Sequence, residues 1–321
     1  MAITSRRVWL ITGANSGLGL ALAEYVLSQG DLVIAAARNV QKLPKSVSAA
    51  KPLQLDLHDT PADIKCAGLK ALEIYGYVDV LVNMAGYGLE APVEELDPTE
   101  LLAEFQTNFF GPIYLIQSLL PSFRARRSGT IINVSSVASF DGTPGYSAYS
   151  SSKAAVNAMS DILRRELAPF NVRVLTLVPG YFHTSFMTNA AALGESTRAA
   201  ASASADSSTG KPPVTNLYPD VYGLAHKIPT IRLKMRRIGD TSKAAKRIFE
   251  VVTGTGLVET MQQKPDGPWP MVLLGQDAGE RIKSQLMNWK HCIDETEEFW
   301  NSTEVEPEKM EEMRREFGIV D

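Results

Sequence analysis

Val8-Trp9-Leu10-Ile11-Thr12 runs straight into Gly13-Ala14-Asn15-Ser16-Gly17-Leu18-Gly19, and Gly17–Leu27 then carries apolar residues at helical spacing. A short buried strand, a glycine-rich turn and a helix in that order put backbone N–H groups and a helix N-terminus against an anionic group. Gly13 suits the tight turn, Gly17 a close approach of backbone to a pyrophosphate, and Gly19 close helix–sheet packing. Asn15, Ser16 and Leu18 line the same turn. No Lys-Ser/Thr follows Gly19, so the loop is not a nucleoside-triphosphate cradle and a dinucleotide is favoured. The next strand ends Ala36-Ala37-Arg38-Asn39. A site for NAD wants a carboxylate there for the ribose hydroxyls. Arg38 instead offers a donor fork suited to a 2′-phosphate, so NADP(H) is expected over NAD(H).

Outward from the loop, short β-rich runs recur at Leu32–Ala36, Pro52–Leu55, Val78–Val82, Thr130–Val134, Val172–Val178 and Met271–Leu274. Their apolar residues fall on both faces, as in a parallel sheet covered by helices on each side. Helical patterns lie between them, near 61–75, 98–127, 148–168, 241–253 and 278–300. The alternation predicts an α/β fold: a doubly wound parallel sheet of the Rossmann type, flanked by helices. The chain is expected to form one domain over 1–321, with a long substrate-loop insertion at 187–235 and a helical C-terminal extension at 278–321. Residues 189–208 are mostly Ala and Ser and suit either a lid or a tether.

The 321 residues are 45% hydrophobic and 21% charged, an ordinary globular mix that excludes a fibre or a disordered chain. A net charge of −4 gives no electrostatic reason to expect nucleic acid. The last 28 residues hold eleven acids and three bases, a net of −8 against +4 for the rest. Cys66 and Cys292 stand far apart, and His58, His183, His226 and His291 are scattered. Neither a disulfide framework nor a metal site is expected. The N-terminal apolar run is shorter than a secretory signal needs, and no stretch is long enough to span a membrane, so a cytoplasmic location is expected.

Tyr149 and Lys153 are four residues apart at the start of a helical run, so both can point into one cleft. A free phenol ionises near pH ~10; a neighbouring ammonium and an oxidised nicotinamide would favour the phenolate and bring a proton-transfer role within reach. Ser136, 13 residues earlier, sits just past the strand Thr130–Val134. There its hydroxyl can hold a carbonyl oxygen at the sheet edge where open α/β folds bind ligands. A serine hydrolase is disfavoured, because no Gly-x-Ser-x-Gly motif is present.

With these residues in view the chain resembles the short-chain dehydrogenase/reductase family over roughly 6–184, more loosely to about 286. The resemblance rests on the loop at 12–19, Asp56, Asn83-Met84-Ala85-Gly86, the Ser136/Tyr149/Lys153 set, and Pro179-Gly180 with Thr184. It implies that Tyr149 exchanges a proton with the substrate oxygen and Ser136 orients that oxygen. Lys153 would hold the nicotinamide ribose and lower the tyrosine's pKa, and Asn108 would complete a proton relay through water. Asp56 with Leu57 would contact the adenine, and Asn83, Ala85 and Gly86 would line the adenosine side. Asn39 would sit beside Arg38, and Thr184, Pro179 and Gly180 would shape the nicotinamide pocket. Transfer at the pro-S face is implied. Met84 departs from the family's usual second asparagine.

Phe140, Tyr146, Tyr181, Phe182, Phe186 and Met187 are the expected substrate-lining residues, with Trp269 from the C-terminal side. They suit a neutral, hydrophobic, medium-sized carbonyl or alcohol. The expected activity is NADPH-dependent carbonyl reduction by a homodimer or homotetramer. An alcohol dehydrogenase, a redox-neutral epimerase and a nucleotide-sensing regulator are the alternatives.

Overall fold

Apolar side chains at every position from Val8 to Ile11 need cover on both sides, and the computed structural model supplies it. It describes residues 6–190, 193, 218, 221, 223–234, 238–261, 269–317 and 319. Seven parallel strands form one sheet: β1 (Val8–Thr12), β2 (Leu32–Ala37), β3 (Lys51–Gln54), β4 (Val80–Asn83), β5 (Gly129–Val134), β6 (Val172–Pro179) and β7 (Met271–Leu274). Their order is β3-β2-β1-β4-β5-β6-β7. The chain thus winds outward twice from a reversal between β1 and β4, and this is the expected doubly wound fold.

Trp9 and Ile11 face one core, which they share with Leu22 and Val26 of α1 (Gly17–Ser28). Ile248 and Val251 of the late helix Thr241–Thr253 complete that core. Val8 and Leu10 face the opposite core. There they meet Ile64 of α2 (Pro61–Tyr75), Leu115 and Leu119 of α4 (Gly111–Arg126) and Leu163 of α5 (Ser147–Leu167). The helix ends follow local chemistry. Thr60 accepts the Asp63 N–H at the start of α2, Pro61 fills its first position, and Gly76 closes it in the left-handed region. Asp97 caps α3 (Pro98–Phe105) in the same way.

Three features depart from expectation. The run 98–127 is not one helix: a π turn, Gln106–Phe110, separates α3 from α4. Gly111 N–H bonds back five residues to Gln106, and Pro112 has no N–H to give the Asn108 carbonyl. The stretch 187–235, expected to be irregular, lies in large part outside the described residues. Where described, it is helical at 187–190 and in α6 (Leu224–Lys234), with 218, 221 and 223 outside any helix. The helix Thr241–Thr253 is α7, and a short α8 (Leu257–Met261) was not expected. Third, Trp269 packs, partly buried, against the sheet core beside β7.

Residues 1–279 form one compact unit and 280–321 a second. The second holds most of α9 (Gln276–Glu295) with α10 (Glu297–Asn301) and α11 (Pro307–Glu316). Among the described residues no helix is long and apolar enough to cross a membrane.

Trp9 ties the first core together. Its ring stacks on Phe249 at 5.7 Å, and its indole N–H donates to Asp31 at 3.0 Å, both groups being buried. Trp9→Ala should cost about 3–5 kcal/mol of unfolding free energy. Trp9→Phe, which strips only the donor from a buried carboxylate, should cost about 1–3 kcal/mol. Urea denaturation checks the order; a Trp9→Phe loss near zero would mean that the indole N–H contributes nothing, and equal losses that the stacked ring contributes nothing.

Candidate active site

Loops at the carboxyl ends of β1, β4, β5 and β6 bring most of the expected residues to one edge of the sheet. Thr12, the last residue of β1, joins the first two. Its hydroxyl accepts the N–H groups of Met84 and Ala85, each at 3.0 Å, and donates to the Val82 carbonyl at 3.3 Å. Gly13 and Gly17 hold the turn at φ +68° and +56°, which other residues reach only with strain. Ser16 makes no side-chain bond to the α1 N-terminus, and the side chain of Thr184 lies against Gly17. Arg38 is exposed just past β2. This is a turn whose backbone amides and nearby arginine fit a dinucleotide's phosphates.

Other predicted cofactor residues are held by the protein itself. Asn39 accepts the Gln41 N–H at 2.9 Å and caps a short turn, and Asp56 accepts the His58 N–H at 3.0 Å. Leu57 is buried, and its carbonyl accepts from Gln106 at 3.1 Å. Asn83 lies at the carboxyl end of β4. It donates to Asn133 on β5 at 2.9 Å and is buried between the strands. Gly180 N–H donates to Leu274, and the carboxylate of Asp277 accepts the Tyr181 N–H at 2.9 Å. Sequence reasoning gave Asp277 no role in the site, although it stands at the start of a helix just after a strand.

The chemistry-bearing side chains converge between β5 and α5. Ser136 begins a short turn and accepts the Ala138 N–H at 3.2 Å. Ser135 donates to the Lys153 carbonyl at 3.1 Å, and Asn157 donates to Ser139 at 2.8 Å, so the loop after β5 is bolted to α5. One turn inside α5, Lys153 is buried and donates to the Val134 carbonyl at 2.8 Å, with its Nζ 5.8 Å from the centre of the Tyr149 ring. Burial pushes the Lys153 ammonium down to about 8, against the pull of Glu104. The Tyr149 phenol was expected to be lowered. In the protein alone burial raises it to about 12, opposed by a hydrogen bond with Ser136 and helped by Glu104.

Asn108 sits on the π turn. Its Oδ1 accepts the Tyr87 N–H at 3.1 Å, and its Nδ2 donates to the Tyr87 carbonyl at 2.9 Å and to Ser152 of α5 at 3.1 Å. One turn earlier, Glu104 has no exposed surface, and its carboxylate accepts the Leu89 N–H at 3.2 Å. Together the two side chains hold the loop after β4. Glu104 was not expected, because a glutamate in an amphipathic run reads as a surface residue.

Of the expected substrate-lining residues, Phe186 packs on Tyr149 with ring centres 5.2 Å apart. Gly88 lies under both rings, where a Cβ would come within 3.2 Å of Phe186 and 3.4 Å of Tyr149. Met187 joins Tyr146, Tyr149 and Ala190, and also Leu224 and Ile228 of α6, which were not foreseen. Tyr146 and Tyr181 are buried, and Phe140 is half-buried. Phe182 packs in the sheet core, with Gly239 against its ring.

The family model described as short chain dehydrogenase matches residues 7–193. The oxidoreductase claN of Passalora fulva is 44% identical over 186 residues, which cover 56% of this chain and 83% of that protein. A short-chain dehydrogenase of Streptomyces avermitilis, known as a crystal structure, aligns with a TM-score of 0.74 and 31% identity over 95% of this chain and 100% of that one. A gluconate 5-dehydrogenase from Burkholderia cenocepacia, solved with NADP and tartrate, aligns with a TM-score of 0.54 and 28% identity over 58% of this chain and 77% of that one.

Removing the Thr12 hydroxyl as Thr12→Val leaves two loop amides without their acceptor. It should cost about 1–3 kcal/mol of stability, which Thr12→Ser should largely restore. Equal denaturation midpoints for the Ser and Val variants would contradict this role.

Proposed function

The chain belongs to the short-chain dehydrogenase family, whose members use NAD(P), and we propose that within it this protein is an NADPH-dependent carbonyl reductase acting on a hydrophobic, medium-sized substrate. One observation carries the proposal: Tyr149, with Ser136 near enough to oppose the rise in its pKa, shares a helix face with the buried Lys153 at the carboxyl edge of β5. When bound, the dinucleotide supplies or takes up the hydride. The protein's own groups handle the proton. Tyr149 donates it to the carbonyl oxygen as that oxygen becomes an alcohol, and Ser136 orients the same oxygen. A phenol kept protonated by burial suits the donor role in reduction. Lys153, fixed by the Val134 carbonyl, brings a positive charge beside the phenol and can reach a ribose hydroxyl. Asn108 spends its amide on Tyr87 and Ser152, so its contribution is to hold the π turn and the loop after β4 in place.

Arg38 at the end of β2, with Ala37 where a carboxylate would bind the ribose, supports NADPH over NADH. The apolar neighbours of Tyr149, namely Phe186, Met187, Leu224 and Ile228, support a hydrophobic substrate.

Tyr149→Phe should lower kcat by about 10²–10⁴-fold while NADPH still binds, as followed by NADPH fluorescence. Retained turnover would remove Tyr149 from the proton step. Arg38→Ala should raise the KM for NADPH on the order of tenfold and leave that for NADH nearly unchanged. Parallel changes for the two cofactors would contradict the 2′-phosphate role.

A further inference from the structure

Glu104 is fully buried beside the active site, yet the proton path just described gives it no part. A carboxyl out of water is costly as an anion unless a cation or several donors face it. Leu89 N–H at 3.2 Å and Asn108 Nδ2 at 3.4 Å are fewer donors than an ionised carboxylate accepts. If holding the loop were its whole purpose, a neutral side chain would serve at less cost.

The placement points further. The Asn108 amide, which meets the Glu104 carboxyl on one side, faces Lys153 on the other across the space left by Gly86. A Cβ at Gly86 would stand 2.8 Å from Asn108 Oδ1 and 3.4 Å from Lys153 Nζ. Carboxyl and amide are in contact, and amide and ammonium border the same small space, on α3, the π turn and α5, with both charged ends buried.

We propose that Glu104 is a positioning residue of this site that acts through Lys153: buried beyond the Asn108 amide from the amine, its carboxylate keeps Lys153 in the ammonium form. The proposal rests on the reductase reading only for its effect on rate. As pH rises, the new carboxylate holds Lys153 in its ammonium form, and the amine beside Tyr149 keeps its charge where burial alone would discharge it.

The electrostatics run the same way. Burial pushes Glu104 up to about 8, opposed by the Leu89 N–H and by Lys153, while burial pushes Lys153 down to about 8, opposed by Glu104. The other titratable groups facing Glu104 are Tyr149 of α5, Tyr146 just ahead of it, and Tyr87 of the loop after β4. Burial raises all three phenols, so they stay neutral across the range in question. Glu100 and Arg38 bear on Tyr87, and Glu90 on Tyr146.

Glu104→Gln tests the pair. The ratio of variant to wild-type kcat/KM for ketone reduction should be constant below about pH 7, where Glu104 is already protonated. Above that it should fall, with the alkaline limb about one pH unit lower and the rate there down about tenfold. A ratio constant at all pH values marks a merely structural role and overturns the proposal. A second measurement needs neither the variant nor turnover. In wild-type protein carrying ¹³C-carboxyl glutamate, NMR should show one glutamate titrating well above the ordinary carboxylate range. If every glutamate titrates below about pH 6, the proposal fails even where the variant does not fold. A high-titrating glutamate in a protein that reduces no ketone would keep the Glu104–Lys153 pair and sink the reductase reading.

Discussion

The reversal of strand order between β1 and β4 is the constraint on which the rest depends. Crossovers on either side of that line leave toward opposite faces of the sheet, so the loops after β1 and β4 part and open a crevice. Thr12 sets how far they part, because one hydroxyl joins the end of β1 to the start of the next loop. The glycines at 13 and 17 then turn the backbone along the crevice, and Thr184, arriving from β6, reaches the same place. The site is thus a property of the sheet's winding before it is a property of any catalytic side chain.

A second layer of organisation comes from polar groups buried on α3, the π turn and α5. Parallel strands end in loops, and loops carry backbone groups that must be satisfied. Here side chains satisfy them: Asn108 takes both polar groups of Tyr87, Glu104 takes Leu89, Lys153 takes Val134, and Asp277 takes Tyr181. Residues that look catalytic therefore also build the cleft. The π turn is what aims Asn108. It arises where Pro112 cannot supply the helical hydrogen bond that an unbroken α-helix requires.

The fold was legible because strand runs such as Val8–Thr12 and Met271–Leu274 are short, apolar on both faces and separated by helical periods. The candidate site was legible where chemistry depends on spacing, as for Tyr149 and Lys153 on one helix face and for the glycine turn. It was not legible where a role depends on what lies across the fold. Glu104 and Asp277 look like solvent-facing acids in sequence, and only packing buries them. Phe182 stands among aromatic neighbours in sequence, and only the fold shows that it packs in the core and bridges to Gly239. The π turn escaped notice because Pro112 reads equally well as an ordinary residue in the first turn of a new helix.

The most direct test of the account is the loss of NADPH absorbance against a panel of hydrophobic ketones, aldehydes and quinones, with NADH run beside it. The account predicts steady oxidation of NADPH by at least one apolar carbonyl compound, and much slower oxidation of NADH. Tight NADPH binding with no turnover across the whole panel would contradict it and would assign the crevice a sensing or redox-neutral role.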